Sequence, residues 1–340
     1  MSEQLPRKVL VTQRFFDPES LAYLQAQGCE VRIAELPAGQ GDGDLSEGQL
    51  LELLADMDGW IVGHAWVTAG LLAWLPKLKV IARRGVGYER VDVEAVRAAG
   101  KVATIAVGGN DASVADHAVA MMLALGRRLG DSKARMVSGD WGIALGSELY
   151  GKTVGIIGMG RIGRGVVRRV AGFDAKVLAY TAHPDWEYSL EYGVRYVDLD
   201  TLLSQSDYVS VHAPLLEDTR LLIDEAALGR MKPTAYLINT ARGGLVDDRA
   251  LLEALLDGVI AGAGLDVFLS ETDREYRATT DALLTLPNVV ATPHSGASTH
   301  EGLQRTNLIA AQCVVAVLNG ETPSTSCVIA DGRGTFSTEE

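Results

Sequence analysis

The second half of the chain carries three side chains whose chemistry suits a reaction on a small organic acid, namely Arg242, Glu271 and His294. The planar guanidinium of an arginine binds a carboxylate through paired hydrogen bonds. An imidazole exchanges a proton near neutral pH, and a carboxylate beside it orients the ring and favours its charged form. We therefore interpret Arg242 as a substrate-carboxylate ligand, His294 as an acid/base and Glu271 as the partner of that histidine.

Each of these residues also has an ordinary explanation. An arginine in a glycine-rich loop is commonly a surface charge, and Glu271 lies in a charged loop with Asp273 and Glu275. His294 and His212 both follow predicted strands, where a histidine is commonly structural, and His212 precedes a proline and could simply cap its strand. The chemical interpretation is favoured by placement, because open α/β sheets bind ligands beyond the carboxyl ends of their strands.

The element that must position these loops begins with a glycine-rich turn. Thr153–Ile157 is a β-branched apolar run typical of a buried parallel strand, and Gly158, Gly160 and Gly163 follow it at GxGxxG spacing. Such glycines allow the tight turn, the approach of backbone to a pyrophosphate, and the packing of helix on strand. The N-terminus of the following helix attracts phosphates. The pattern predicts dinucleotide binding, the alternative being a glycine-rich turn that binds nothing.

The end of the next predicted strand, Val177–Tyr180, bears on the choice of cofactor. NAD-specific domains commonly place Asp or Glu there to bind the ribose hydroxyls. Here the strand is followed by Thr181, Ala182 and His183, so neither an acid that would repel a 2′-phosphate nor an arginine that would bind it is present. We expect NAD as the cofactor, with NADP tolerated.

Composition excludes several other classes of function. The 340 residues suffice for two domains, and a net charge of −13 argues against nucleic-acid and anionic-membrane partners. The three cysteines lie far apart and form no metal-ligand spacing, so no metal site is expected. The polar start at Met1–Gln4 lacks the apolar stretch of a signal peptide, and no apolar run is long enough to span a membrane, which predicts a cytoplasmic protein.

Strand and helix patterns alternate along the whole chain. The first hundred residues and the part that follows the glycine motif each show this alternation, which predicts an α/β fold with two doubly wound parallel-sheet domains. Between them we expect one long helix from Ser113 to about Leu129 and an extended loop over Val137–Tyr150. A loop of that length commonly serves a function or covers a partner subunit. A final long helix is predicted over Thr299–Leu318.

Several motifs in one order identify a family. They are Gly85–Asp92 (GVGYERVD), Val114–Asp116, the glycine motif, His212–Leu215 (HAPL), Asn239–Asp247 (NTARGGLVD), Gly264–Phe268 (GLDVF) and Thr292–His294 (TPH). Through them the chain resembles the D-isomer-specific 2-hydroxyacid dehydrogenases, which include phosphoglycerate, glycerate and hydroxypyruvate dehydrogenases, over nearly its whole length. The resemblance implies an oxidoreductase that transfers a hydride between NAD(P)H and a small 2-oxo or D-2-hydroxy acid, commonly as a homodimer.

The resemblance also implies domain bounds and residue roles. The NAD(P)-binding domain would span residues 104–296, inserted into a discontinuous substrate-binding domain of residues 1–103 and 297–340. By motif, Arg242 binds the substrate carboxylate and carbonyl oxygen, His294 is the acid/base paired with Glu271, and backbone at Val86 and Gly87 contacts the carboxylate. The positions assigned to the dinucleotide are Gly158, Gly160, Arg161, Ile162, Gly163, Thr181, His183, His212, Ala213, Pro214, Thr219, Thr240, Ala241, Asp266 and Gly296, with Asp266 at the nicotinamide end.

The chain departs from the family pattern at a few positions, and these keep alternatives open. Glu271 is followed by Thr272, where the family often has proline, so Glu275 is a rival partner for the histidine. Asp116 replaces the usual glutamate, and the loop of residues 62–66 lacks the arginine of phosphoglycerate-acting relatives. Two other functions remain open: a dinucleotide-sensing scaffold like the C-terminal-binding protein corepressors, and a dehydrogenase of another small anion such as formate or phosphite.

Overall fold

The computed structural model describes residues 6–37 and 39–334, which form two compact units. The polar start at Met1–Gln4 lies outside the described residues. Unit 1 takes the chain up to residue 110 and from residue 299 onward, and unit 2 takes residues 111–298. From the sequence, the two divisions were expected after residues 103 and 296, a few residues earlier than they occur in the structure.

The first part of unit 1 alternates strand and helix. Its strands are β1 (Arg7–Val11), β2 (Cys29–Ile33), β3 (Gly59–Val62), β4 (Val80–Arg83) and β5 (Val102–Ile105), and its helices are α1 (Pro18–Ala26), α2 (Glu47–Leu54), α3 (Ala69–Ala73) and α4 (Val93–Ala98). Each helix begins after a side chain that accepts a backbone N–H of its first turn: Asp17, Ser46, Thr68 and Asp92. These caps explain where the helices start.

Unit 2 repeats the alternation on a larger scale. Its helices are α5 (Asp111–Gly126), α6 (Leu129–Val137), α7 (Arg161–Val170), α8 (Trp186–Tyr192), α9 (Leu199–Gln205), α10 (Glu225–Arg230), α11 (Asp248–Leu256) and α12 (Arg277–Thr285). Its strands are β6 (Thr153–Ile157), β7 (Lys176–Tyr180), β8 (Val194–Tyr196), β9 (Tyr208–Val211), β10 (Tyr236–Asn239), β11 (Gly262–Leu265) and β12 (Val289–Ala291). The chain then returns to unit 1 as α13 (His300–Leu318) and β13 (Val328–Asp331).

Both sheets have the doubly wound topology that the sequence predicts. The order is β13-β5-β4-β3-β1-β2 in unit 1 and β12-β11-β10-β9-β6-β7-β8 in unit 2, and every pairing is parallel except β13 with β5. Apolar side chains cover both faces of each sheet: in unit 2 one face packs on α5 and α7, and the other on α9 to α12. The predicted class, two Rossmann-like α/β domains, is confirmed.

The predicted single helix from Ser113 to Leu129 is wrong at its end. The chain leaves α5 at Gly126, passes Arg128 in the left-handed region at φ 53°, and starts α6. At Gly126 a Cβ atom would lie 2.5 Å from the Tyr208 hydroxyl, so the close approach of α5 to the sheet excludes a side chain there. Helix α6 buries no residue, unlike α5, and this change of environment marks it as a separate helix. Residues 138–149, within the predicted loop, form no regular element.

No helix of the described chain is long and apolar enough to cross a membrane. The same residues contain no group of three or more His, Cys, Asp or Glu side chains that could hold a metal ion.

Candidate active site

The candidate site lies within unit 2, at the carboxyl edge of its sheet. Because β6, β7 and β9 to β12 are parallel, the loops that follow these strands emerge at one edge. All of the predicted catalytic and cofactor-binding residues are in these loops or in the first turn of α7. Parallel topology thus gathers side chains that are more than a hundred residues apart in sequence.

The glycine-rich turn has the geometry that a dinucleotide needs. Gly158 has φ 95°, and a Cβ there would lie 2.6 Å from the backbone nitrogen of Ala213, so only glycine fits between β6 and the loop after β9. A Cβ on Gly163 would lie 2.2 Å from the Gly158 carbonyl oxygen, which explains how closely α7 packs on the turn. A Cβ at Gly160 would meet no atom within 4 Å, so open space faces the start of α7, where Arg161 and Ile162 follow.

Two buried polar atoms at this edge of the sheet have no hydrogen-bond partner among the described residues. They are Nδ1 of His212, after β9, and Oγ1 of Thr240, after the neighbouring β10. Burial lowers the pKa of His212 to about 4, so its ring is neutral, and its Nε2 is 2.8 Å from Ser210 Oγ. Buried polar groups are almost always satisfied, so this pair indicates that a polar ligand completes the site, and the residues fit a dinucleotide.

Other predicted cofactor residues shape the loops themselves. Thr219 Oγ1 donates to the Pro214 carbonyl at 2.6 Å and accepts from Leu216 N–H at 2.8 Å, which closes the loop that starts at Ala213. After β7, the His183 N–H donates to Thr181 Oγ1 at 3.5 Å.

The loop after β7 predicts weak discrimination between NADH and NADPH. Tyr180 ends the strand half-exposed, and Thr181 stands where an acid would repel a 2′-phosphate. We expect the ratio of kcat/KM for NADH over NADPH to stay below a thousandfold, because that ratio needs about 4 kcal/mol of differential binding, more than a threonine hydroxyl supplies. Thr181→Asp is the matched variant, and it should raise the preference for NADH. A wild-type ratio above a thousandfold would contradict the expectation.

The Arg242 loop is held by a buried asparagine. Asn239, 1% exposed at the end of β10, donates from Nδ2 to the Arg242 carbonyl at 2.9 Å and accepts the Ala241 N–H at 3.1 Å. At Gly243 a Cβ would lie 2.2 Å from the Phe268 carbonyl carbon, so the Arg242 loop lies directly against the turn after β11. The Arg242 side chain, partly buried, donates from Nη1 to the Ala241 carbonyl at 2.7 Å.

That turn after β11 brings Glu271 to His294. Glu271 Oε1 accepts the Phe268 N–H at 2.8 Å, and its Oε2 lies 2.6 Å from His294 Nδ1. The rival Glu275 lies in the next turn, where its N–H donates to Asp273, and the contact with the histidine belongs to Glu271.

His294 itself has a left-handed backbone, with φ 51°. Its N–H donates to the Asp266 carbonyl at 2.8 Å and to the Thr292 carbonyl at 3.0 Å. A non-glycine residue in this region is uncommon and costs conformational energy that the surrounding contacts must offset. The ring is thus placed by its backbone as well as by Glu271.

Asp266 ties the loop after β12 to the end of β11. This carboxyl group, 1% exposed, accepts from Thr292 Oγ1 at 2.5 Å, from Ser295 N–H at 2.8 Å and from Gly296 N–H at 2.9 Å. Burial opposes its ionisation, but hydrogen bonds with His117, Thr292 and the two amides outweigh it and lower the pKa of Asp266. His117, on α5, was not predicted as a site residue from the sequence, and its Nε2 lies 2.8 Å from Thr292 Oγ1.

Two predicted substrate-binding positions lie in the other unit. Val86 and Gly87 follow β4 of unit 1, after a turn at Gly85 with φ 136°. Both residues are partly buried. Their role in binding a carboxylate stays a prediction.

Comparison with known proteins agrees with this description. Residues 119–296 match the NAD binding domain of the D-isomer specific 2-hydroxyacid dehydrogenases. The chain is 42% identical over 254 residues to a glyoxylate reductase of Korarchaeum cryptofilum, covering 73% of this chain and 75% of that protein. It is 41% identical over 276 residues to a D-3-phosphoglycerate dehydrogenase of Mycobacterium bovis, covering 80% of this chain but 51% of that protein, so it spans about half of that relative.

A solved structure is similar over nearly the whole length of the chain. D-lactate dehydrogenase with NAD+ from Lactobacillus jensenii superposes with a TM-score of 0.79 at 30% identity, covering 95% of this chain and 99% of that one. The chain therefore belongs to the D-isomer-specific 2-hydroxyacid dehydrogenase family, and the resemblance read from its motifs is confirmed. It is an NAD-dependent oxidoreductase, and unit 2 contains its NAD-binding domain.

Proposed function

We propose that this chain reduces a small 2-oxo acid with NADH to the D-2-hydroxy acid, and catalyses the reverse oxidation. The observation that carries the proposal is the 2.6 Å contact between His294 Nδ1 and Glu271 Oε2. The contact lies in the NAD-binding unit, and the Arg242 loop packs against the same turn through Gly243. An acid/base and a guanidinium on two contacting loops match what the reaction requires.

In this proposal His294 moves the proton. The nicotinamide of NADH supplies the hydride that reaches the carbonyl carbon. Because Nδ1 of His294 bonds to Glu271, Nε2 is the ring nitrogen that donates to the carbonyl oxygen, and Glu271 stabilises the protonated ring before the transfer. In the oxidation, a neutral His294 accepts the proton from the hydroxyl group instead.

The remaining residues bind and orient the substrate. The Arg242 guanidinium holds the carboxylate through paired N–H donors, and the backbone at Val86 and Gly87 adds further contacts. Asp266, held by the hydrogen bonds described above, would lie at the nicotinamide end.

Several of the relatives are named for short substrates. Glyoxylate reductases and a D-lactate dehydrogenase act, by name, on two- and three-carbon acids. The loop of residues 62–66 carries no arginine that could bind a phosphate, which argues against phosphoglycerate for this chain. We propose glyoxylate, pyruvate or hydroxypyruvate as the substrate class.

A substrate panel tests the proposal. NADH oxidation is followed with glyoxylate, pyruvate, hydroxypyruvate and 3-phosphohydroxypyruvate, and NAD+ reduction with formate and phosphite. We expect turnover with at least one short 2-oxo acid and none with the inorganic anions. NADH binding without turnover on any 2-oxo acid would overturn the proposal in favour of a dinucleotide-sensing scaffold, and turnover on formate or phosphite alone would favour the third class.

The predicted homodimer fits an exposed apolar surface on unit 2. Helix α6 and the loop after it expose Met136, Val137, Trp141, Ile143 and Leu145, with Ile143 94% and Leu145 89% exposed. Several large apolar side chains exposed within one short segment are typical of a protein interface. We propose that a second copy of the chain covers it. The cytoplasmic location stays a prediction.

A further inference from the structure

A buried carboxylate that the mechanism does not use lies behind the turn that carries Glu271. Asp248, the first residue of α11, is 2% exposed. Its Oδ2 accepts the backbone N–H of Leu269 at 2.9 Å. The preceding amide, Phe268 N–H, donates to Glu271 Oε1 at 2.8 Å. Two consecutive amides of one turn therefore each bind a carboxylate, one that contacts His294 and one that lies in the interior.

A charge at position 248 costs folding free energy. Burial raises the pKa of Asp248 to about 6, the hydrogen bond from Leu269 opposes that rise, and the nearby charges of Asp247 and Glu271 add to it. The folded protein thus holds a proton on Asp248 at pH values where the unfolded chain has released it. The stability contribution of this residue falls as pH rises from about 4 to about 6 and stays low above that range. The N-terminus of α11 offsets part of the cost.

Among the described residues, no buried cation lies close enough to Asp248 to explain the charge. Arg249, on its own helix, stacks on Tyr276, and the packed helices α10 and α12 keep their charged side chains exposed: Glu225, Arg230, Arg277 and Asp281. Arg242 lies at the start of the loop that leads to α11. It is partly buried, and its Nη1 donates to the Ala241 carbonyl. An asparagine would accept the same hydrogen bond without the cost of a buried charge. The hydrogen bond to Leu269 N–H alone therefore does not explain why position 248 is an aspartate.

We propose that Asp248 is a positioning residue for the Glu271–His294 pair. Its hydrogen bond fixes the turn that aims Glu271 at the imidazole, and its negative charge, behind that of Glu271, favours the protonated ring that reduction requires. The expected effect of Asp248 on kcat rests on the proposed function. Its effect on the protonation of the His294 ring does not depend on which substrate the protein uses.

The test separates the charge from the hydrogen bond. Asp248→Asn keeps an acceptor for Leu269 N–H and removes the charge, and Asp248→Ala removes both. Asp257→Asn, at the exposed C-terminal end of the same helix, removes an equal charge and is the matched control. The titration of the His294 ring is followed by NMR in ¹³C-histidine-labelled full-length protein, with its signal among the six histidines assigned by loss in His294→Asn. The pH dependence of kcat for reduction is measured in parallel.

We expect Asp248→Asn to move the midpoint of the His294 titration to lower pH by about 0.5 unit, and the kcat profile with it. Its Tm should exceed that of wild type by about 5 °C at pH 8 and by little at pH 4. Asp248→Ala should lower kcat about tenfold, the cost of one misdirected hydrogen bond, and Asp257→Asn should change neither midpoint.

A His294 titration in Asp248→Asn identical to that of wild type would overturn the inference, whatever the stability of Asp248→Ala. If wild type turns over no 2-oxo acid while the ring titration moves as expected, the proposed function fails and the electrostatic role of Asp248 stands.

Discussion

Replacement of His294 by asparagine is expected to lower kcat for 2-oxo acid reduction by about 10²- to 10⁴-fold, the usual contribution of a general acid. Asparagine is the appropriate variant because position 294 has φ 51°, and asparagine tolerates the left-handed region better than alanine. The dissociation constant for NADH, measured by fluorescence titration, should change little, because the glycine turn of α7 is independent of this side chain.

The matched control is His300→Asn, which removes another exposed histidine six residues further along, in unit 1. It should leave kcat unchanged. If His294→Asn retained more than a tenth of wild-type kcat, the proton donor would have to be another group.

Removal of the Glu271 charge should move the pH profile of the same reaction. Reduction begins with protonated His294 and oxidation with the neutral ring, so reduction falls and oxidation rises as pH increases. Glu271→Gln removes the negative charge 2.6 Å from Nδ1, and the midpoint of both profiles should move to lower pH by about 1 unit. Glu275→Gln, which makes no contact with the ring, should leave the midpoint in place. His212 cannot produce the profile, because its pKa of about 4 keeps it neutral throughout.

Much of the fold was predictable because its local signals agree with its tertiary structure. The β-branched strands β6 and β9 are buried on both faces, as apolar runs predict, and two glycines of the α7 turn, Gly158 and Gly163, are required by the close approach of backbone atoms. The end of α5 was not predictable in this way. At its last residue, Gly126, the helix lies close to the Tyr208 hydroxyl, which is more than eighty positions further along the chain. The antiparallel β13 was missed for a similar reason, since a short edge strand is defined by its partner.

The candidate site was likewise predictable only in part. The types and loop positions of Arg242, Glu271 and His294 could be inferred from chemistry and motif, and the structure adds the contact that distinguishes Glu271 from Glu275. Asp248 and His117 were missed, because an acid at the start of a helix and a histidine within one are both ordinary in sequence. Only the folded chain brings the first to Leu269 N–H and the second to Thr292.

The substitution Arg242→Lys tests the other half of the proposed chemistry and should lower kcat/KM for the 2-oxo acid about a hundredfold. Lysine keeps the charge but presents a single ammonium in place of the two parallel N–H donors that match a carboxylate, and charge-assisted hydrogen bonds contribute about 1.5–3 kcal/mol each. It also loses the Nη1 bond to the Ala241 carbonyl, which helps to direct the guanidinium. NADH binding should stay within about twofold, because the Asn239 contacts that shape the loop are made by backbone atoms of Ala241 and Arg242.

The control for this variant is Arg249→Lys, which makes the same exchange on α11 at an arginine that stacks on Tyr276. Its kcat/KM should equal that of wild type. The loss in Arg242→Lys should appear for every acid in the panel and should be absent when NADH binding alone is measured, since the lost hydrogen bonds are to the carboxylate that these substrates share. A lysine variant with wild-type kcat/KM would mean that the carboxylate is held elsewhere, and the backbone at Val86 and Gly87 would then be the next position to test.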